Sequence, residues 1–203
     1  MVGNSVALTG TFPSSYTTTG TANATRYIAI NAAFTAAGTV SEIQNNTISG
    51  FALFSSSGAT TANGVFCGIN VTSGNANIGT TTGNTIGSTS GQGAIYTAVT
   101  TGGGVVVGIY ATSANTVSIQ NNAIGAVDAV GTTTSLSGAF TGIDTAGTGG
   151  IFSISSNTIG NSTADNIRTG YTLSGGSLSN AGTFTSTTGT TSPMVGIRSA
   201  ATG

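Results

Sequence analysis

A short sequence pattern that recurs at a nearly constant interval constrains the fold of this chain more than any other feature. Asn-Thr-Ile or Asn-Ala-Ile occurs with its asparagine at positions 46, 84, 122 and 157, so the intervals are 38, 38 and 35 residues. Self-similarity at a period between about 20 and 50 residues indicates a repeat architecture, in which each unit buries its apolar face against its neighbours. A weaker copy at 7–10 places Leu8 40 residues before Ile48. The pattern therefore predicts five repeats.

A second series keeps step with the first and consists of a small residue followed by isoleucine. Its members are Ala29-Ile30, Gly68-Ile69, Gly108-Ile109, Gly142-Ile143 and Gly196-Ile197. Between the two series most repeats hold a third short apolar segment bounded by Gly, Thr and Ser, such as 51–54 and 94–99. Gly and β-branched residues disfavour helices and no 3.6-residue apolar stripe is present, so all three segments are predicted to be strands. Each repeat is expected to supply three strands and three turns.

Stacking of such repeats predicts an all-β fold, a right-handed parallel β-helix (β-solenoid) of about five coils with 35–40 residues and three short strands each. The coils are expected at 1–39, 40–75, 76–114, 115–149 and 150–203, in a single domain. The right hand follows the usual handedness of connections between parallel strands. Second-series residues two apart, such as Ile28 and Ile30, are expected to share the inward face.

Stacking in register places equivalent residues above one another. The predicted ladders are Ile48, Ile86, Ile124 and Ile159; Ile30, Ile69, Ile109, Ile143 and Ile197; and Asn46, Asn84, Asn122 and Asn157. A side-chain amide can donate to one neighbouring coil and accept from the other, and asparagine tolerates the left-handed backbone of a tight turn. The alternative is a set of unrelated asparagines in surface turns. The same register makes Asp144 and Arg198 neighbours on the outer face, where an exposed pair contributes ~0 to 1 kcal/mol.

With both motifs in phase, the chain resembles the right-handed parallel β-helix repeat regions of large secreted bacterial surface proteins. Asn-Asn-Thr-Ile at 45–48 and the Gly-Ile pairs carry the resemblance, which extends over nearly the whole chain. The resemblance implies the fold and an extracellular or cell-surface location. The chain departs from the enzymatic members, the polysaccharide lyases and hydrolases, because it lacks the acidic and basic clusters on one outer face that carry their chemistry.

Charged residues are almost absent from this chain, which excludes several kinds of partner. Three basic and four acidic residues make up 3% of the sequence, against about 25% in a typical domain. No basic patch is available for nucleic acid, and no apolar stretch reaches the ~18 to 20 residues of a membrane-spanning helix, so neither nucleic-acid binding nor membrane insertion is expected. There is no histidine and the single cysteine, Cys67, is expected in the core, so no cofactor or Cys/His metal site is predicted.

The residue types needed for catalysis are too few and too scattered to form an active site. The four acids fall on different strands or in different repeats: Glu42, Asp128, Asp144 and Asp165. No carboxylate pair therefore addresses one substrate, and a Ser or Cys nucleophile lacks a histidine base. We expect this chain not to be an enzyme. Four Asn-x-Ser/Thr sequons are candidate sites for N-linked glycans: Asn23, Asn45, Asn70 and Asn161.

The ends of the predicted stack indicate a function. The chain begins near a first-series strand and finishes near a second-series strand, with no evident capping element at either end. Head-to-tail pairing of copies would build a filament, because such a contact does not close. The residues expected at that interface are Val6, Leu8, Ile30, Val195 and Ile197. We therefore expect a structural protein that assembles with copies of itself into an extracellular fibre. The alternatives are a segment of a giant surface adhesin or stalk, and an ice-binding protein with threonine runs at 17–19, 80–82 and 132–134.

Overall fold

The computed structural model describes residues 5–7, 15–17, 26–36, 39–55, 62–99, 104–131, 138–174, 183–186 and 194–202. These residues form twenty β-strands and no helix, so none of them belongs to a helix that could cross a membrane. All strand pairs are parallel except that of β18 with β19. The predicted all-β, parallel class is confirmed.

The strands assemble into four sheets, and neighbouring strands within a sheet come from successive repeats of the sequence, except for the last two strands of sheet 2, which belong to the same repeat. Sheet 1 contains β1 (Ser5–Ala7), β5 (Thr47–Ser49), β9 (Thr85–Gly87), β13 (Ala123–Gly125) and β17 (Thr158–Ile159). Sheet 2 contains β2 (Ser15–Thr17), β6 (Phe51–Ser55), β10 (Ile95–Val99), β14 (Val127–Gly131), β18 (Ile167–Ser174) and β19 (Thr183–Ser186). Sheet 3 contains β3 (Tyr27–Ala33), β7 (Phe66–Ser73), β11 (Val105–Ala111), β15 (Ala139–Thr145) and β20 (Met194–Ser199). Sheet 4 contains β4 (Ser41–Ile43), β8 (Ala76–Ile78), β12 (Thr116–Gln120) and β16 (Ile151–Ser155).

Sheet 4 was not predicted, and the expectation of three strands per repeat is wrong. A middle repeat contributes four strands, for example β12 to β15. The strands of sheet 4 precede the Asn-Thr-Ile motif, and in β12 the buried residues Val117 and Ile119 alternate with partly or fully exposed Thr and Ser. This is the period-2 pattern of a strand with one buried face, but it contains only two apolar residues.

The register of sheets 1 and 3 aligns the isoleucines of the two series. Consecutive partners in sheet 1 are Val6, Ile48, Ile86, Ile124 and Ile159. Consecutive partners in sheet 3 are Ile30, Ile69, Ile109, Ile143 and Ile197. The first repeat differs from the prediction, because Val6 and not the residue two positions later pairs with Ile48. In this register Asn4 takes the sequence position that Asn46 has in the next repeat, while Leu8 lies outside the described residues.

The core extends to both faces of sheets 2 and 3. All five positions of β10 are buried, as are five of the seven positions of β11. Burial in these sheets therefore does not alternate: second-series residues two apart, such as Val107 and Ile109, are both buried, but so is Gly108 between them. Strands covered on both faces have nearly continuous apolar runs, such as Val105-Val106-Val107. Tyr27, Phe51 and Phe66 add an aromatic cluster, in which the Tyr27 and Phe51 ring centroids are 4.1 Å apart.

Glycine precedes isoleucine in the second series because the neighbouring strand and sheet 1 leave no room for a side chain. A Cβ at Gly142 would lie 2.6 Å from the Gly196 carbonyl oxygen and 2.6 Å from Ile159 Cδ1. Gly68 and Gly108 face the equivalent carbonyl and isoleucine of the repeat that follows each of them. Distances this short exclude an alanine without movement of the backbone. The glycines thus allow sheet 3 to pack closely against the isoleucine column of sheet 1.

Candidate functional site: the last repeat

A chain of hydrogen bonds joins the four asparagine side chains that precede the strands of sheet 1. Nδ2 of Asn46 donates to Oδ1 of Asn84 at 2.7 Å, Asn84 donates to Asn122 at 2.8 Å, and Asn122 donates to Asn157 at 2.9 Å. The backbone N–H groups of the first three donate to the same oxygens at 3.0–3.1 Å. Unrelated asparagines in surface turns would not be bonded to one another, so that alternative does not describe this structure.

The hydrogen bonds between the asparagines of this ladder all run in one direction, from the donor in one repeat to the acceptor in the next repeat toward the last. At the first-repeat side, Oδ1 of Asn46 is buried and accepts no hydrogen bond from the described residues. At the other side, the N–H of Asn157 faces no further asparagine within the described residues. The left-handed backbone that we expected of the ladder residues belongs to the residue before them, as in Asn45 (φ 53°) and Asn121 (φ 56°).

The last repeat exposes apolar side chains whose counterparts in earlier repeats are buried. Ile197 is 51% exposed, whereas its partner Ile143 in the same column is fully buried. Met194 is 54% exposed, whereas its partner Phe140 is 1% exposed. The exposure of Ile197 and Met194 therefore results from the lack of a following strand among the described residues, and not from an outward direction of the column.

Ile151 in β16 is also exposed, at 67%, but for a different reason. Its partner in the preceding repeat, Thr116, is exposed although strands lie on both sides of it in sheet 4. This column therefore faces solvent in every repeat where it is described. Ile151 is therefore an apolar residue on the outer surface, in a column that stays exposed even where a further strand follows.

The strand edges of the last repeat differ among the four sheets. Within the described residues no strand pairs with the outer edges of β16, β17 or β20. In sheet 2, β19 pairs antiparallel with residues 171–174 of β18 and lies at the outer edge. The expectation that this end has no cap is therefore wrong for sheet 2, because an antiparallel strand covers part of its edge. A cavity of about 520 Å³ opens at the same end, lined by apolar Phe140, Ile159, Ile167 and Met194, by Gly160 and Gly196, and by polar Asn161, Thr163, Asp165 and Asn166.

The residues predicted to form an interface fall into three groups. Val6 and Ile30 lie in β1 and β3, the first-edge strands of sheets 1 and 3. Val195 and Ile197 lie in β20, the last-edge strand of sheet 3. Leu8 lies outside the described residues. Ile30 is 3% exposed and packs in its own core, so its side chain offers little surface in the single chain and its part in an interface stays a prediction.

Arg198 and Asp144 are neighbours in sheet 3, as their predicted register requires. Nε of Arg198 donates to Oδ1 of Asp144 at 3.0 Å, and the second guanidinium nitrogen contacts Oδ2. The pair is not exposed on both sides, because the Asp144 side chain is 1% exposed and that of Arg198 is 53% exposed. The bond to Asp144 raises the pKa of Arg198 above its usual value. Arg198 therefore carries its charge at the uncovered end of sheet 3.

A second ion pair, between Asp128 and Arg168 in sheet 2, was missed by the sequence analysis. The two residues are partners across β14 and β18, and Nε of Arg168 donates to Oδ1 of Asp128 at 2.6 Å. Both side chains are buried, and burial raises the pKa of Asp128 although Arg168 opposes that rise. Aligning Ile167 with Val127 would have placed the two charges side by side, but the third segment of the last repeat was not aligned.

The described residues contain no group of three or more His, Cys, Asp or Glu side chains that could hold a metal ion. Cys67 is fully buried, and burial raises the pKa of its thiol to about 12. Cys67 is therefore not a reactive nucleophile at neutral pH.

The threonine runs do not form a flat, regular face in the described part of the chain. Residues 80–82 form a turn in which Oε1 of buried Gln44 accepts hydrogen bonds from the N–H groups of Thr81 at 3.0 Å and Thr82 at 2.8 Å. The runs at 17–19 and 132–134 lie outside the described residues except for Thr17. The described run is a capped turn, which gives no support to an ice-binding surface.

The four sequons differ in accessibility. Asn45 is exposed, and Asn23 lies outside the described residues. Asn70 is 4% exposed and its Nδ2 donates to Oδ1 of Asn31 at 2.7 Å, so a glycan on Asn70 is incompatible with this fold. Nδ2 of Asn161, the atom that would carry the glycan, is buried. Asn45 is thus the one sequon of the described residues whose side chain is exposed.

No protein family, curated protein sequence or solved structure matches this chain. Its function must therefore be inferred from the geometry of the last repeat and from the columns that lead to it.

Proposed function

We propose that this chain is a structural protein, a right-handed parallel β-solenoid whose copies stack head to tail into an extracellular fibre. The sheet orders support a winding chain, because each of the first four repeats adds one strand to each sheet before the next repeat begins. Neighbouring coils then lie about 4.8 Å apart, the spacing of paired strands. The right hand follows the rule for parallel crossover connections. The extracellular location is supported by the resemblance of the repeats to those of secreted surface proteins.

The observation that carries this proposal is the exposure of Met194 and Ile197, which are 54% and 51% exposed in columns that are otherwise buried. Full burial of a side chain of this size contributes about 1.5–3 kcal/mol. At half exposure, each leaves about 1 kcal/mol of that contribution unrealised. A further coil on β20 would bury both side chains and pair the free backbone groups of the edge strands. These are the same contacts that hold the inner repeats together.

The near absence of charge favours close association of identical surfaces. The chain has a net charge of −1, so two copies do not repel each other strongly. An equivalent coil from a longer surface protein, an adhesin or stalk, would cover the last repeat equally well. That alternative predicts no assembly of the separate chain, whereas the fibre proposal predicts growth with concentration.

Sedimentation velocity across a concentration series tests the proposal with two matched isoleucine variants. Ile197→Ser removes an apolar contact from the uncovered end, where Ile197 is 51% exposed, whereas Ile151→Ser removes an isoleucine that is 67% exposed in a column that faces solvent. We expect the wild type and Ile151→Ser to form particles that grow with concentration, and Ile197→Ser to remain monomeric. A wild type that is monomeric at every concentration, or equal loss of assembly in both variants, would contradict the proposal.

A further inference from the structure

We infer that the fibre joint has one polarity and one register, with β20 of one copy beside β3 of the next and Ser199 opposite Ala32. This inference rests on the proposed fibre and specifies its interface. The register follows from the columns of sheet 3, since Ala32, Val71, Ala111, Thr145 and Ser199 are successive partners in the chain. A new copy that continues this column begins again at Ala32.

Continuing the columns places apolar residues against apolar residues. Three columns of sheet 3 begin with an apolar residue in β3 and end with an apolar residue in β20. Their first and last members are Tyr27 and Met194, Ile28 and Val195, and Ile30 and Ile197. The incoming β3 therefore covers both exposed apolar residues of β20. It also meets no steric obstacle at Gly196, where a Cβ would have no atom within 4 Å. At Gly142 the equivalent space is filled by the next strand, so the space at Gly196 is what an incoming strand requires.

The direction of the asparagine ladder favours the same polarity. In every bond between two asparagines the donor belongs to the earlier repeat and the acceptor to the later one, so the ladder ends at the last repeat with the backbone N–H of Asn157 as a donor. Head-to-tail stacking brings a donor end to an acceptor end. Contact between two last repeats would bring donor ends together and lose these hydrogen bonds.

The charge of Arg198 also disfavours the contact between two last repeats. The Arg198 side chain is 53% exposed at that end, so two such ends would bring two guanidinium groups close together. In the head-to-tail register, Arg198 instead lies beside Asn31, which is neutral and exposed. Like charges on adjacent strands are destabilising, whereas an arginine can donate to an amide oxygen.

Disulfide trapping tests this register, in a Cys67→Ala background that removes the native thiol. Ala32→Cys and Ser199→Cys are small changes, and Cα atoms on neighbouring strands about 4.8 Å apart are within the roughly 4.4–6.8 Å range of disulfides. We expect a several-fold excess of cross-linked dimer when the two single variants are mixed and oxidised, compared with either alone. Asn31→Cys mixed with Ser199→Cys is the matched control, because neighbouring side chains on a strand point to opposite faces and should cross-link poorly.

Each outcome separates the register from the fibre proposal. Sedimentation of the unmodified chain in the same buffer reports whether it assembles at all, and absence of assembly would overturn the proposed function. Assembly without the Ala32→Cys to Ser199→Cys cross-link would overturn only the register. Equal cross-linking of Ser199→Cys with itself would show contact between two last repeats and overturn the polarity.

Discussion

Removal of one asparagine from the middle of the ladder should destabilise the fold much more than its size suggests. In Asn84→Ala four hydrogen bonds are lost, two accepted from Asn46 at 2.7 and 3.1 Å and two donated, to Ile43 O and to Asn122 Oδ1, at 2.8 Å each. Asn84 is 1% exposed, so water does not reach the groups that it leaves behind.

The magnitude follows from what each partner retains. Nδ2 of Asn46 keeps its bond to Gln44 O, and Ile43 O keeps a bond from the N–H of Gly79. Oδ1 of Asn122 still accepts a hydrogen bond from the backbone N–H of residue 84. The backbone N–H of Asn46 loses its ladder acceptor, which costs about 1–3 kcal/mol for a buried group. The three other bonds contribute about 0.5–1.5 kcal/mol each, so we expect a total loss of about 2.5–7.5 kcal/mol.

Urea unfolding followed by far-ultraviolet circular dichroism measures this loss, with Asn157→Ala as the graded control. Asn157 is the last residue of the ladder and only partly buried, so water can replace some of its bonds and we expect a loss of about 1–2 kcal/mol. The reasoning would be refuted if Asn84→Ala costs less than Asn157→Ala, or if both cost less than about 0.5 kcal/mol.

Three further predictions concern packing, charge and pH. Gly142→Ala should destabilise the chain by about 1–3 kcal/mol, because the added Cβ would meet a backbone oxygen. Gly196→Ala should leave the stability of the monomer nearly unchanged, because a Cβ there has no atom within 4 Å. Thermal unfolding of dilute samples compares the two variants. Arg168→Met should lower the free energy of unfolding by about 3–5 kcal/mol at pH 7, because it leaves the Asp128 carboxylate buried without its partner. The loss should be smaller at pH 4, where the raised pKa of Asp128 brings that carboxyl closer to neutral. Urea unfolding at both pH values measures the difference. Burial raises the pKa of the Cys67 thiol from 9.0 to about 12, so this thiol ionises in the unfolded chain before it ionises in the folded one as the pH rises. The free energy of unfolding should therefore fall by about 1.4 kcal/mol between pH 7 and pH 10. The same loss should be absent when the pH dependence is measured for Cys67→Ala.

The columns of sheets 1 and 3 could be predicted because their spacing alone determines which residues meet. A constant step between Ile48, Ile86 and Ile124 leaves one register in which apolar residues coincide, and the structure has that register. The Gly-Ile pairs at 142–143 and 196–197 placed Arg198 beside Asp144, although the step there is longer. The first repeat was misaligned by two residues because Leu8 and Gly10 match the apolar residue and the glycine of the later repeats, whereas the true partner of Ile48 is a valine, Val6.

The parts that were not predicted depend on packing that spacing does not specify. Strands as short as Ala76–Ile78 carry too few residues to show a period, so sheet 4 was read as turns. The burial of Asp144 follows from what covers sheet 3 on both faces, which no single strand reveals. The antiparallel β19 lies in a Thr-rich stretch without repeat spacing, and its pairing with β18 has no counterpart in earlier repeats of the described chain.

X-ray diffraction from oriented fibres of the concentrated protein tests the central claim, continuous stacking of coils from one copy to the next, most directly. Five repeats at about 4.8 Å each give a copy an axial height of about 24 Å. The account predicts a strong reflection near 4.8 Å along the fibre axis together with an axial repeat near 24 Å. A solution that yields no fibres at any concentration, or fibres with the 4.8 Å reflection and no repeat of one copy's height, would contradict it.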